Sequence, residues 1–221
     1  MNDSRHVLDR VRQVLGRGHG HGSSAPPPPP PALPDKIVRL IGSDAKLPEL
    51  FAQRAAELKM IVTPTSSQEA AEKLVEFLRK HPIKRIALSV SLLLDRLGVR
   101  PALRSAGFEV KSWDEITLDQ MYDFDCAITD VSYAVAESGT LVIKPTARQG
   151  RSMSLVPMYH IAFVEPTQFL PDMVDLFERL AHESDRSNAI LISGPSKTAD
   201  IEMNLVTGVH GPGQVEVFVL R

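Results

Sequence analysis

Short apolar runs alternate with amphipathic stretches along most of this chain, and this alternation constrains the fold more than any other feature. Apolar runs bounded by turn residues indicate buried strands, whereas apolar residues at helical spacing indicate helices that pack on a sheet. The pattern predicts strands at 60–63, 84–88, 107–112, 125–130, 140–144, 160–164, 189–192 and 214–220, and helices at 47–59, 66–80, 91–97 and 171–182. Strands that alternate with helices predict an α/β fold with a largely parallel sheet.

The N-terminal part has a different composition. Apolar residues at helical spacing predict an amphipathic helix in residues 1–15. Glycines that alternate with His19 and His21, followed by six consecutive prolines, cannot bury a core. We therefore expect a linker over residues 16–35 and a single α/β domain over residues 36–221. A flexible strip of this kind seldom coordinates an ion, so we predict no metal site there.

Charge and cysteine content exclude several classes of protein. The formal net charge of −2 gives no basic excess, which argues against a nucleic-acid binder. No apolar stretch approaches the roughly 20 residues of a membrane span, and the first residues lack the pattern of a secretory signal. Cys126 is the single cysteine, so the chain cannot form an internal disulfide, a multi-cysteine zinc site or its own iron–sulfur cluster. We expect a reduced, cytoplasmic protein without a bound cofactor, in which Cys126 is a buried, inert thiol.

The most informative motif follows the apolar run at 189–192. A strand, a small-residue turn and then a helix form an anion site in many α/β proteins, since the turn and the helix N-terminus present backbone N–H groups. We therefore predict ligand binding, beyond the carboxyl end of a strand, by Ser193, Gly194, Ser196, Lys197, Thr198, Asp200 and Glu202. The spacing is neither that of a Walker A loop nor that of a dinucleotide fingerprint. The alternative is an ordinary helix cap with acidic residues in the first turn.

Two further segments could complete such a site. Glu137 lies just before a predicted strand, next to Ser138, Gly139 and Thr140, and could act as a general base or a nucleophile. The alternative is a turn in which Glu137 binds backbone N–H groups and Gly139 supplies a positive φ. His210 precedes Gly211 in a glycine-rich loop and could transfer protons, although a lone loop histidine is more often solvated. We expect these segments to converge with the Ser196 turn.

A basic stretch with Arg148, Arg151 and Ser152 follows the strand predicted at 140–144. These side chains could contact an anionic substrate or a partner. Solvated loop charges are the commoner interpretation.

Together these segments resemble the lactate-utilization protein C family, which carries the LUD domain. The resemblance rests on residues 136–142, 193–202 and 208–213, and the family's Arg-x-x-Ser-Leu-x-Pro-x-x-His pattern is similar to residues 151–160. The family looks like a branch of the superfamily of ribose-phosphate isomerases and CoA transferases, which implies a Rossmann-like core. Family members are implicated in the oxidation of L-lactate to pyruvate together with two partners that carry the iron–sulfur centres.

Two functional hypotheses follow. In the first, the protein is a non-redox component of a lactate-oxidising assembly that binds a small carboxylate or a partner at the glycine-rich segments, with Ser196, Lys197 and Thr198 holding the carboxylate. In the second, it is a stand-alone isomerase or transferase in which Glu137 is the base or nucleophile and His210 the proton shuttle. A third interpretation is that the motifs specify only the fold.

Overall fold

The structure is a computed structural model that describes residues 7, 10, 11, 13, 14, 39, 41, 42, 45–183, 188–199, 205–207 and 211–221. Met1–Asp35 and Lys36–Arg221 form separate units. In the first unit, the described residues Val7, Arg10, Val11, Gln13 and Val14 are helical and exposed. The rest of the description concerns the second unit.

A six-stranded, fully parallel sheet forms the centre of the second unit. Its strands are β1 (Ile61–Thr65), β2 (Arg85–Leu88), β3 (Glu109–Ser112), β4 (Cys126–Asp130), β7 (Tyr159–Val164) and β12 (Gln214–Leu220), in the order β1-β12-β7-β4-β2-β3. Helices α1 (Leu47–Glu57), α2 (Ala70–Arg79), α3 (Leu92–Arg96) and α4 (Val99–Ser105) connect or precede these strands. The arrangement confirms the predicted α/β class with a mostly parallel sheet.

A smaller sheet packs beside the first. Its strands are β5 (Tyr133–Val135), β6 (Thr140–Ile143), β8 (Phe169–Leu170) and β9 (Ile190–Ile192), in the order β8-β5-β6-β9. The β5–β6 and β6–β9 pairs are antiparallel, whereas β5 and β8 are parallel. Helix α5 (Met173–His182) follows β8. Strands β10 (Lys197–Ala199) and β11 (Leu205–Thr207) pair with each other in a separate two-stranded antiparallel sheet.

The parallel sheet is covered on both faces. One face carries the larger apolar side chains, among them Ile86, Ile128 and Phe163, which pack against α2, α3 and α4. The other face has smaller side chains such as Ala162 and Val217 and packs against Phe51 and Ala55 of α1 and Leu141 of the second sheet. Strands buried on both faces have near-continuous apolar sequences, which is why their positions were predictable.

The local sequence explains how these helices begin. Ser91 is the N-cap of α3, and its Oγ accepts a hydrogen bond from the Leu94 N–H. Asp172 caps α5 in the same way through the Asp175 N–H. Arg39 pairs with Asp175 at 2.7 Å and with Glu178 at 3.1 Å, which links this residue to the first turns of α5.

The predicted helix after the Ser193 turn is wrong. The residues after the turn form strand β10, which pairs with β11 in register Lys197↔Thr207. The strand predicted at 189–192 exists as β9, but it belongs to the small antiparallel sheet because it pairs with β6. No helix among the described residues is long and apolar enough to cross a membrane.

Candidate functional site

A crevice opens at the carboxyl ends of β2 and β4. The chain leaves β2 towards β3 on one side and leaves β4 towards β7 on the other, so the strand order reverses between these two neighbours. Ligands of open parallel sheets bind at such a switch point, outside the carboxyl ends of the strands. The crevice has a volume of about 370 Å³, and its polar lining includes Ser91, Arg96, Asp130, Lys144, Arg148 and Gln149.

Two of the three cations in the crevice are already paired. Arg96 pairs with Glu165, which follows β7, and Lys144 Nζ lies 2.6 Å from Glu183 Oε2. Arg148 is exposed and makes no ion pair with any residue that the structure describes. The Arg148 guanidinium is therefore the group at this crevice that is available to an anion.

The loop that carries Arg148 is held tightly on the strand ends. Thr146 and Gln149 exchange two backbone hydrogen bonds, of 2.9 and 3.2 Å. The Val90 N–H donates to the Arg148 carbonyl, and Gln149 Nε2 donates to the Asp130 carbonyl. The loop is thus fixed to the residues that follow both β2 and β4.

Asp130 is the carboxylate at the end of β4. Ser91 Oγ donates a 2.8 Å hydrogen bond to Asp130 Oδ2. Burial raises the pKa of Asp130, and the hydrogen bond from Ser91 opposes that rise. The hydroxyl of Ser91 and the carboxyl group of Asp130 therefore lie together at the end of β4. Because its pKa is raised, the carboxyl group is protonated more readily than it would be in water.

Polar side chains continue from the crevice into the interior. Ser89 N–H donates to the Ile128 carbonyl, which places Ser89 beside Thr129 on the neighbouring strand. Thr129 Oγ1 lies 2.9 Å from Nε2 of His160, which is fully buried. The buried atoms Ser89 Oγ, Gln149 Oε1 and His160 Nδ1 have no hydrogen-bond partner among the described residues. Buried polar atoms are nearly always paired, so this group is unusual.

His160 makes the folded state sensitive to acid. Burial lowers its pKa to about 4, against about 6.5 when it is exposed. Because the unfolded chain takes up the proton first, stability that is complete above pH 6.5 is lost as the pH falls to about 4. We expect this histidine to contribute a loss of about 3 kcal/mol over that window. The measurement is urea unfolding of the wild type and of His160→Gln across the window. If the free energy of unfolding of both proteins depends on pH in the same way, His160 does not cause the loss of stability.

The glycine-rich segments meet at a different place. Glu137, Ser138, Gly139 and Thr140 form or adjoin the β5–β6 turn. The Ser138 hydroxyl donates to Thr140 Oγ1 at 2.8 Å, and Thr140 Oγ1 lies 2.8 Å from Ser193 Oγ. This chain of hydroxyl groups joins the first segment to the second.

The second segment contacts the third through its backbone. The Ser196 N–H donates to the Pro212 carbonyl at 2.8 Å, and a Cβ at Gly211 would lie 3.2 Å from Ser196 Cβ. The predicted convergence therefore holds for the described parts of all three segments. Asp200, Glu202 and His210 lie outside the described residues, and Thr198 lies in β10. The binding and catalytic roles of these segments stay predictions.

Glycine brings this region close to helix α1. Gly139 has a φ of +60°, and a Cβ there would lie 2.6 Å from the Ala55 backbone nitrogen. Gly194 has a φ of +110°, and its Cβ would lie 2.6 Å from the Leu58 carbonyl oxygen. Both glycines thus allow close packing at α1. The positive φ of Gly139 agrees with that part of the turn interpretation, whereas the close contact with α1 was not predicted.

The predicted position of this region on the parallel sheet is wrong. The N–H groups of Gly213, just before β12, and of Gln214, its first residue, both donate to the carbonyl of Met158, which lies just before β7. The glycine-rich region therefore lies at the amino ends of these strands, and β9 is not a strand of the parallel sheet. A turn that enters a strand also lacks the helix N-terminus on which the anion-site argument depended.

Of the crevice residues, the sequence indicated only Arg148, as a possible contact of an anionic substrate; Ser91 and Asp130 were not predicted, although a signal for them was present. Ser89 and Ser91 follow β2 directly, and Asp130 is the last residue of β4. Ligands of parallel sheets bind beyond the carboxyl ends of the strands, so polar residues at the ends of these two apolar runs indicate a site as well as those after the run at 189–192. Cys126 is fully buried and burial raises the pKa of its thiol, which confirms the prediction of an inert cysteine.

The fold and the crevice define a parallel α/β protein with a small polar site at the topological switch point. The family model of the LUD domain matches residues 48–220. The chain belongs to the LUD domain family, which confirms the family resemblance seen in the sequence.

Relatives agree with this assignment, and a solved structure shares the fold. Lactate utilization protein C of Bacillus pumilus (strain SAFR-032) is 31% identical over 185 residues, which cover 77% of this chain and 76% of the relative. Lactate utilization protein C of Halalkalibacterium halodurans is 30% identical over 214 residues, 93% and 92% of the two chains. The crystal structure of a DUF162 family protein from Deinococcus radiodurans has a TM-score of 0.62 at 22% identity, over 80% of this chain and 97% of that one.

Proposed function

We propose that this protein is a non-redox component of lactate utilization that binds a small carboxylate, namely L-lactate or pyruvate. The observation that carries the proposal is its similarity to proteins named lactate utilization protein C, one of which is matched over 92% of its length. The proposal includes a cytoplasmic location.

Iron–sulfur partner proteins belong to the same proposal. Oxidation of lactate to pyruvate releases two electrons, which a protein without a redox centre cannot accept. Iron–sulfur clusters are held by several cysteine thiolates, and this chain has one cysteine, which is buried. Partner proteins would then supply the redox centres, and this chain would supply substrate binding or assembly.

The crevice at β2 and β4 suits a small carboxylate better than the glycine-rich region does. Arg148 offers a planar guanidinium that can donate two parallel hydrogen bonds to a carboxylate. Ser91 and Asp130 lie at the same crevice and could bind the 2-hydroxyl group of lactate or the 2-oxo group of pyruvate. Burial raises the pKa of Asp130, and its protonated form could donate a hydrogen bond to the bound anion.

The experiment is a calorimetric titration of the full chain with L-lactate and with pyruvate. We expect at least one of them to bind, and Arg148→Ala to weaken that binding about tenfold or more, because a charge-assisted hydrogen bond is lost. Lys197→Ala is the matched control, since Lys197 is also an exposed cation but lies in β10 of the glycine-rich region. Its affinity should equal that of the wild type.

The outcomes separate the two sites. If Lys197→Ala weakens binding and Arg148→Ala does not, the crevice assignment is wrong and the carboxylate binds where the sequence motif predicted. If neither compound binds to the wild type, the carboxylate proposal fails. Purification of the tagged chain from its own host tests the partner proposal, which predicts that iron–sulfur proteins are enriched with it.

A further inference from the structure

A second cavity lies on the other side of the loop that carries Arg148. It has a volume of about 470 Å³, and Trp113, Leu118, Pro145, Arg151, Ser152 and Asn188 contribute to its lining. Thr146 lines both this cavity and the crevice, so the 145–152 loop forms a partition between them. Arg148 lines the crevice, and Arg151 lines the second cavity.

The walls of this cavity combine an aromatic ring with apolar groups. The Trp113 indole is half-buried and packs closely on Gly150, where a Cβ would lie 2.1 Å from the ring. Leu118 is 66% exposed, although it is a large apolar side chain. Indole rings and exposed apolar side chains are the groups on which planar rings stack.

Polar groups at the same cavity have unused hydrogen-bonding capacity. Arg151 is exposed and makes no ion pair within the part of the chain that the structure describes. Ser152 is 8% exposed, and its buried Oγ has no hydrogen-bond partner in the part of the chain that the structure describes. An unpaired hydroxyl that is buried beside a cavity is the kind of group that a bound ligand satisfies.

We propose that the Trp113 cavity binds a nucleoside monophosphate group, either free or as one end of a larger nucleotide. The base would stack on Trp113, the phosphate would pair with Arg151, and Ser152 and Asn188 would bind the sugar hydroxyls. Arginine is the side chain best suited to phosphate, because its planar fork donates two hydrogen bonds. The volume lies within the range of about 300–1,000 Å³ that is typical of small-ligand sites.

This site is separate from the carboxylate site of the proposed function. The two cavities have different cations, and each arginine can be removed without removing the other. Binding of a nucleotide at Trp113 therefore neither requires nor excludes binding of lactate at the crevice.

Trp113 is the single tryptophan of the chain, so its fluorescence reports directly on this cavity. The full chain is titrated with AMP, and adenosine and inorganic phosphate are titrated separately, with calorimetry as a second measurement of affinity. We expect AMP to change the emission of Trp113 with saturation, and adenosine to bind at least tenfold more weakly because it lacks the phosphate. Arg151→Ala should weaken AMP binding about tenfold, and the matched control Arg148→Ala should not change it.

Several results would overturn the proposal. Absence of saturable binding of AMP up to millimolar concentration would do so, as would equal affinity for AMP and adenosine. If inorganic phosphate binds as tightly as AMP, the ring contributes nothing and the Trp113 assignment is wrong. An equal effect of Arg148→Ala and Arg151→Ala would place the phosphate elsewhere. A protein that binds AMP but neither lactate nor pyruvate would retain this inference and lose the proposed function.

Discussion

Replacement of Gly139 by alanine should lower the free energy of unfolding by about 3 kcal/mol. The added Cβ would lie 2.6 Å from the Ala55 nitrogen and 2.7 Å from the Arg54 carbonyl carbon, both of which are backbone atoms of α1. Overpacking of this kind costs about 1–3 kcal/mol, and a left-handed conformation costs an alanine roughly another 1–2 kcal/mol. Urea unfolding at neutral pH measures the change.

The chain provides a matched control for the backbone part of this effect. Gly98 has a φ of +65°, close to that of Gly139, but a Cβ there would meet no described residue beyond its own chain neighbours within 4 Å. Gly98→Ala should therefore cost only the conformational part, about 1 kcal/mol. If the two variants lose equal stability, the close approach of the β5–β6 turn to α1 is not what requires glycine at position 139.

Glu216→Gln should stabilise the protein at alkaline pH. Glu216 lies on β12 and is 1% exposed. Thr63 Oγ1 donates to its Oε1, whereas no described residue makes a hydrogen bond to its Oε2. Burial raises the pKa of this carboxyl to about 7, an effect that the hydrogen bond from Thr63 opposes. Above pH 7 the folded protein holds a buried carboxylate with an unpaired oxygen, which the glutamine variant lacks.

The sign of the pH effect follows from the two states of the carboxyl. In the unfolded chain Glu216 loses its proton near pH 4.5, whereas in the folded protein it keeps the proton to about pH 7. The stability that it provides is complete below pH 4.5 and is lost as the pH rises to 7. A shift of this size corresponds to about 3 kcal/mol. His160 acts in the opposite direction between pH 4 and 6.5, so the wild-type curve alone does not isolate Glu216.

The difference between wild type and variant isolates it. Urea unfolding of both proteins from pH 4.5 to 8 should give a stability difference that moves by about 3 kcal/mol in favour of Glu216→Gln. Thr63→Val is the companion variant, because loss of the hydroxyl donor should raise the pKa of Glu216 further. A difference that does not change with pH would show that Glu216 does not titrate in this window.

Most of the parallel sheet could be predicted from the sequence because its strands are buried on both faces. The runs at 125–130 and 214–220 are mostly apolar over their central parts, with Glu216 as the charged exception in the second, and both form strands close to the predicted bounds. Pairing could not be predicted in the same way. The run at 189–192 is equally apolar, but its partner is β6, and this depends on tertiary contacts that periodicity does not encode.

Short strands and hairpins could not be predicted from the sequence for a related reason. Strands β5, β10 and β11 have three residues each, too few for an alternation of apolar and polar residues to be visible. The residues after the Ser196 turn form strand β10, which pairs with β11, and not the predicted helix. The argument for an anion site at the N-terminus of that helix therefore does not hold. The roles of Arg148 and Arg151 depend on which side of one loop each residue lines, which only the three-dimensional arrangement gives.

The two ends of the parallel sheet differ in the residues that lie there. The described parts of the glycine-rich segments meet near the amino ends of β7 and β12, and Gly139 and Gly194 allow close contact with residues 54–58. Arg151 and Ser152 of the 151–160 segment line the Trp113 cavity instead. The crevice and the Trp113 cavity lie at the loop beyond β2 and β4. If the proposed function is correct, a relative that keeps the glycines but replaces Arg148 should have the same fold and a different ligand. The ligands of such proteins would then be compared at the 145–152 loop and not at the glycine-rich segments.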